Sequence, residues 1–174
     1  EGPMLSLKNV NAIGHFTDWI IAHVHVGALA WNGFLTFGMI YFLVPKLFKT
    51  KLYSIGLANL HFWIGTLGII MYALPMYVAG FTQASMWKQF NPDGTLVYGN
   101  FLETVTEIMP MYWMRAIGGT LYLVGALILV YNIVVTVRRS GNKVEDELAE
   151  APALTRVTKK RTAGEGWHTW LERR

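Results

Sequence analysis

The chain has 174 residues, 53% of them hydrophobic and only 15% charged, with a formal net charge of +4 and no cysteine. The lack of cysteine excludes disulfides, thiolate metal sites and covalent c-type haem attachment. Charges gather between long neutral blocks instead of scattering, which points to a membrane protein, and the basic excess then reports topology and gives no reason to invoke nucleic acid.

Residues 1–16 form a polar lead-in. Thr17 followed by Asp18 and Trp19 has the pattern of an N-cap with an acidic first turn. The neutral block from Trp19 to Pro45 follows, long enough to cross a bilayer. It comes after a polar segment and has no small-residue cleavage site behind it, so it is not a secretory signal. A second block without charge runs from Leu52 to Trp87, and Pro75, late in it, should kink or end the helix and free a carbonyl. Asn91-Pro92-Asp93-Gly94 is a turn by composition. The third block, Met111 to Val137, holds Arg115 as its one charge. The expected spans are about 18–45, 57–81 and 111–137, making residues 17–139 a three-helix transmembrane region. Residues 140–174 form a solvated tail, in which Trp167 and Trp170 have the character of interfacial residues.

Lysine and arginine set the orientation. Lys46, Lys49 and Lys51 follow the first span and Arg138, Arg139 and Lys143 follow the third, whereas the loop of residues 82–110 sets Lys88 against Asp93, Glu103 and Glu107. The positive-inside rule places the N-terminus and that loop outside, and the lysine loop and tail in the cytoplasm. Glycines recur in all three spans, at positions where helix backbones, or a flat macrocycle, can approach closely.

His23 and His25 stand two residues apart in the first span, roughly 10 Å below the outer surface. On a helix they leave the rod about 200° apart, on nearly opposite sides. Histidines in a bilayer are costly and usually functional. Neutral imidazole is a common haem ligand, and two haems held this way would put their irons on the order of 15 Å apart. The alternative is a pair of histidines hydrogen-bonded to nearby carbonyls or hydroxyls. Arg115 lies a turn inside the third span at its outer end, where snorkelling to lipid phosphates is the simpler account and pairing with carboxylates the other. His61 is expected to be a structural hydrogen-bonding residue near the inner end. Asn32 and Thr36 fit helix-to-helix bonding better than a polar path.

The stretch His15-Phe16-Thr17-Asp18-Trp19-Ile20-Ile21-Ala22-His23-Val24-His25 resembles the tenth helix of subunit I of the haem-copper oxidases. Leu57-Ala58-Asn59-Leu60-His61-Phe62-Trp63 and Met86-Trp87-Lys88-Gln89-Phe90 are similar to the cbb3-type branch in particular. The likeness covers roughly residues 1–139, with the last three of the family's helices in order. It implies an all-α membrane protein whose three helices belong to a larger twelve-helix-type bundle. It also implies that His23 is the proximal ligand of the high-spin, oxygen-reducing haem and His25 an axial ligand of the low-spin haem, both haems being b-type. His15 and Arg115 match the propionate region.

By the same resemblance, copper sits in the assembled site on ligands not carried by this chain. The partners implied are the remaining N-terminal helices of subunit I, membrane-anchored c-type cytochrome subunits, a cytochrome c donor and the lipid bilayer of a bacterial inner membrane. The chain is expected to be the C-terminal portion of the catalytic subunit, as a split gene product or a partial sequence. Its closing Gly-Trp-His-Thr-Trp-Leu-Glu-Arg-Arg resembles the junction with a following cytochrome subunit. The implied activity is reduction of oxygen to water with coupled proton translocation, in the assembled complex only. The alternatives are a nitric oxide reductase of the same superfamily, a non-catalytic di-haem electron relay, and a cofactor-free packing or transport subunit.

Overall fold

The structure, a computed structural model, describes residues 1–141. Two short helices, α1 (Gly2–Leu5) and α2 (Lys8–Gly14), precede three long rods. The first rod is α-helical over α3 (Asp18–His25), π-helical over Val26–Gly33 and α-helical again over α4 (Phe34–Leu47). The second is α5 (Ile55–Met86) and the third α6 (Phe101–Arg138). Each rod is long and apolar enough to cross a membrane, and no strand occurs among the described residues, so the all-α membrane class is as expected. Trp167, His168 and Trp170 lie outside the described residues, as does the rest of the tail from residue 142.

Two helices outrun their expected spans, each for a local reason. Pro75 costs α5 one backbone hydrogen bond, yet the helix continues to Met86 because the turns beyond it are held from outside. Gly80 lies directly against the backbone of Trp19, and Gln83 is hydrogen-bonded to Asp18. Helix α6 begins well before Pro110 because Asn100 caps it, accepting from the Leu102 amide at 3.0 Å, with Glu103 in the first turn. That pairing of Asn100 with an acid three residues later is a capping box in the sequence. The turn at residues 91–94 forms as expected, with Gly94 at φ +83 and its amide donating to the Asn91 carbonyl at 2.9 Å.

Helices α5 and α6 make an antiparallel hairpin that crosses on glycine. A Cβ on Gly68 would sit 2.8 Å from the Gly118 carbonyl oxygen, and one on Gly118 would sit 2.6 Å from that of Gly68. Only hydrogen fits there, so backbone meets backbone. The lysine end of the hairpin is clamped by Asn132, which is fully buried. Its Nδ2 donates to the Ser54 carbonyl at 2.8 Å while its Oδ1 accepts from the Ser54 amide at 3.1 Å. Thr136 Oγ1 also accepts from the Tyr53 amide at 3.0 Å.

The first rod packs on this hairpin through its His23 end. Ala22, Ile69, Tyr72, Met76, Ala79 and Ile108 form the buried cluster where the three rods meet. Lower down the contact passes to aromatic side chains, with Phe34 against Gly65 and the Tyr41 hydroxyl beside His61, and α4 contributes no buried residue. Large apolar side chains such as Trp31, Leu35, Phe42, Trp63, Leu74, Trp113 and Leu127 stay exposed, which suits lipid or further helices and not water.

Candidate functional site

The histidine pair is carried on a helix whose start is fixed to both other rods. Thr17 Oγ1 accepts from the Trp19 amide at 3.3 Å and donates to the Gly14 carbonyl at 2.6 Å. Asp18, expected only as an acidic first-turn residue, is buried and carries much more. Its Oδ2 accepts from Gln83 Nε2 at 2.8 Å and from the Tyr112 hydroxyl at 2.9 Å, and its amide donates back to Gln83 Oε1 at 2.7 Å. One carboxyl thus ties the first rod to α5 and α6, and with it the depth of every residue in the next two turns.

His23 faces the lead-in. Its Nδ1 lies 3.2 Å from Glu1 Oε2, an oxygen that also accepts from the Tyr77 hydroxyl at 2.6 Å. Glu1 Oε1 accepts from Trp19 Nε1 at 2.8 Å. Burial by itself would raise the Glu1 carboxyl, but the hydrogen bonds from Tyr77, Trp19 and His23 outweigh it and hold the group below its ordinary range. Glu1 is therefore an ionised, acceptor-only partner, and Nδ1 of His23 must carry the proton. In the neutral ring that leaves the lone pair on Nε2.

His25 reaches the same chemical state by another route. Its Nδ1 lies 2.8 Å from the Ile21 carbonyl oxygen one turn back, again an acceptor only. The ring sits 4.8 Å from that of Tyr72 on α5, inclined by 30°. Both imidazoles are thus oriented through Nδ1 by a second group and keep Nε2 for a ligand, the arrangement found where histidine binds a metal. Neither ring is buried.

The rod changes character immediately below the pair. Instead of the plain α-helix expected, Val26–Gly33 is π-helical, a form that favours functional sites. Tyr122 on α6 donates to the Leu29 carbonyl at 2.8 Å within this stretch. Gly27 has no atom near the position a Cβ would take, so a flat ring has room to approach beside His25. An imidazole with a free Nε2, a second group on Nδ1 and an open flank fits a haem on chemical grounds. Among the described residues, no three His, Cys, Asp or Glu side chains gather where they would hold a metal ion between them.

The other expected residues fall in varied places. Arg115 does not snorkel. Its guanidinium turns inward, 5.3 Å from the Tyr72 ring and 6.0 Å from that of Tyr112, with Nη1 3.7 Å from the Met76 sulfur. His15 closes α2 on the exposed surface, edge-on to Phe16 at 4.0 Å. His61 is buried, and its Nδ1 lies 3.3 Å from the Tyr41 hydroxyl in a structural contact toward the lysine end. Thr36 bonds back to the Asn32 carbonyl within its own helix at 2.8 Å. Glu1, Asp18, Gln83, Tyr72 and Tyr112 were not foreseen. Tryptophan and tyrosine flanking an acid in an apolar context is too common a pattern to have marked them.

Comparison with known proteins adds a further finding. Residues 1–121 match the family of cytochrome c and quinol oxidase polypeptide I. The chain is 50% identical over 155 residues to a cytochrome c oxidase subunit 1 homolog of Agrobacterium tumefaciens, covering 88% of this chain and 29% of that protein. It is 50% identical over 140 residues to cytochrome c oxidase subunit 1 of Rhodobacter capsulatus, covering 80% and 26%. It is 43% identical over 151 residues to the cbb3-type cytochrome c oxidase subunit CcoN1 of Stutzerimonas stutzeri, covering 86% and 32%. The chain therefore spans about a third, or less, of the length of these relatives.

Proposed function

Because the chain belongs to the cytochrome c and quinol oxidase polypeptide I family, the subunit I of haem-copper oxidases, we propose that it is the haem-ligating C-terminal portion of the catalytic subunit of a cbb3-type cytochrome c oxidase. In this reading the assembled complex reduces oxygen to water with electrons from cytochrome c and couples this to proton translocation. Its setting is a bacterial inner membrane, with the lead-in outside and the lysine loop inside. The observation that carries the proposal is the shared state of His23 and His25: two residues apart, each with Nδ1 engaged by an acceptor-only oxygen and Nε2 left free.

In this reading Nε2 of His23 would hold the high-spin, oxygen-reducing haem and Nε2 of His25 would hold the low-spin haem. The one-electron and oxygen chemistry is the bound haem's own. This chain's part is to fix the ligands. Glu1 holds the His23 ring in one tautomer and, as an anion, makes its nitrogen a stronger donor. Ile21 holds His25 through a neutral carbonyl, a weaker acceptor than a carboxylate. The two imidazoles are thereby made electronically unequal, as two haems of different duty require. The network of Asp18, Gln83 and Tyr112 sets the depth of both. His15 and Arg115 are proposed to lie on the propionate side, and copper is assigned to helices of subunit I that this chain does not include.

The test is the optical spectrum of the purified complex. His23→Ala should abolish the carbon monoxide difference signal and keep the low-spin band, and His25→Ala should do the reverse. Retention of both signals in both variants would refute the assignment. Two low-spin haems without carbon monoxide binding would indicate an electron relay, and a colourless preparation a cofactor-free subunit.

A further inference from the structure

Tyr72 is buried in the central cluster, yet its ring is shared by two groups from different rods. On one rod the His25 imidazole lies 4.8 Å away, tilted by 30° to the Tyr72 ring. On another the Arg115 guanidinium lies 5.3 Å from the ring centroid, in cation–π range. Imidazole and cation are thus no farther apart than the sum of these two distances. The arginine, only partly exposed, also touches Tyr112 and Met76. Among the described residues no carboxylate is paired with it.

A charge placed inside a span without a carboxylate partner calls for an account. The Tyr72 ring restrains the one rotation that the Ile21 hydrogen bond leaves to His25, the tilt of its plane about that bond. The fixed positive charge bears on whatever charge accumulates at Nε2. In a low-dielectric setting it favours the more negative, reduced state of a group bound there.

We propose that Tyr72 and Arg115 are positioning residues for the His25 ligand, Tyr72 setting the plane of the imidazole and Arg115, held on the Tyr72 ring, raising the reduction potential of the haem that His25 binds. This rests on the assignment of His25 as a haem ligand. It adds that the low-spin haem is tuned from α5 and α6 through an aromatic ring, and not only by its axial ligands.

The test uses the whole purified complex, with a redox titration of the low-spin band and its low-temperature electron paramagnetic resonance spectrum. Arg115→Met should shift the reduced-to-oxidised ratio about tenfold toward the oxidised form, a fall of about 59 mV for a one-electron couple. Arg115→Lys should restore most of that shift. Tyr72→Leu should move the low-spin g-values, which follow the ligand plane, whereas Tyr72→Phe should not. Should Tyr72→Leu fail to assemble, the two Arg115 variants carry the test alone. An unchanged potential in Arg115→Met overturns the electrostatic part, and unchanged g-values in Tyr72→Leu overturn the orienting part. His25→Ala separates the underlying assignment: a surviving low-spin band there removes the ligand itself, whatever the other variants show.

Discussion

Replacing Asp18 by alanine should loosen all three rods at once, although the residue lies five positions from the nearer histidine. Its Oδ2 accepts at 2.8 Å from Gln83 on α5 and at 2.9 Å from Tyr112 on α6, in a buried position. Inter-helix hydrogen bonds in membranes average about 0.6 kcal/mol and reach about 1.7, while orphaning a buried donor costs about 1–3 kcal/mol. Two such donors are orphaned together, so the loss should be about 2–6 kcal/mol. Asp18→Asn keeps one acceptor oxygen and should lose about half of that. Thermal denaturation of the purified complex in detergent, followed by haem release, reads the difference directly. On the proposed haem assignment the alanine variant should release both haems at a lower temperature, because the turns bearing His23 and His25 follow Asp18. A transition matching the parent within about 0.5 kcal/mol would show that this carboxyl does not hold the rods together.

Gly118→Val should prevent close contact of α5 and α6, because its Cβ would lie 2.6 Å from backbone atoms of Gly68 and Tyr72 that cannot rotate away. The cost should reach about 3 kcal/mol or abolish assembly, whereas Gly119→Ala, whose nearest atom is 3.9 Å away, should be tolerated in the same expression and thermal assays. Asn132→Ala removes two bonds to the Ser54 backbone, and should lower stability by about 1–3 kcal/mol while leaving both haem spectra unchanged. Glu1 has its folded pKa held below the ordinary 4.5. Its contribution is therefore fully present above that value and is lost as pH falls through the lower folded one. Acid titration of the His23-linked spectrum should show this step, and Glu1→Gln should remove it. The depressed Asp93 carboxyl, held by Thr95 in the distant loop, should act in the same direction but persist in the variant.

Local chemistry was legible in the sequence; contacts between rods were not. Thr17 as a cap, the turn ending in Gly94 and the three spans follow from rules that act within a few residues. The two-sided histidine pair follows from helical pitch alone. The third helix starts ten residues before the expected span because that span was set by the uncharged block, whereas the start is set by the cap at Asn100 with Glu103 in the first turn. Arg115 misled for a different reason: snorkelling is the default only where no π face is near, and the Tyr72 and Tyr112 rings lie on its inward side. Glu1 meets His23 because the lead-in folds back, with its carboxylate between Trp19 and Tyr77. No periodicity connects residues so far apart along the chain. Asp18 likewise owes its role to Gln83 and Tyr112, which lie 65 and 94 residues away.

On the proposed assignment one membrane rod presents two free Nε2 atoms to two irons, and an iron-edge anomalous map from crystals of the assembled complex would locate those irons. The expected map has one iron peak at Nε2 of His23 and another at Nε2 of His25, on opposite flanks of the rod and on the order of 15 Å apart. A map with no iron beside either ring, or with both rings on a single iron, would contradict it.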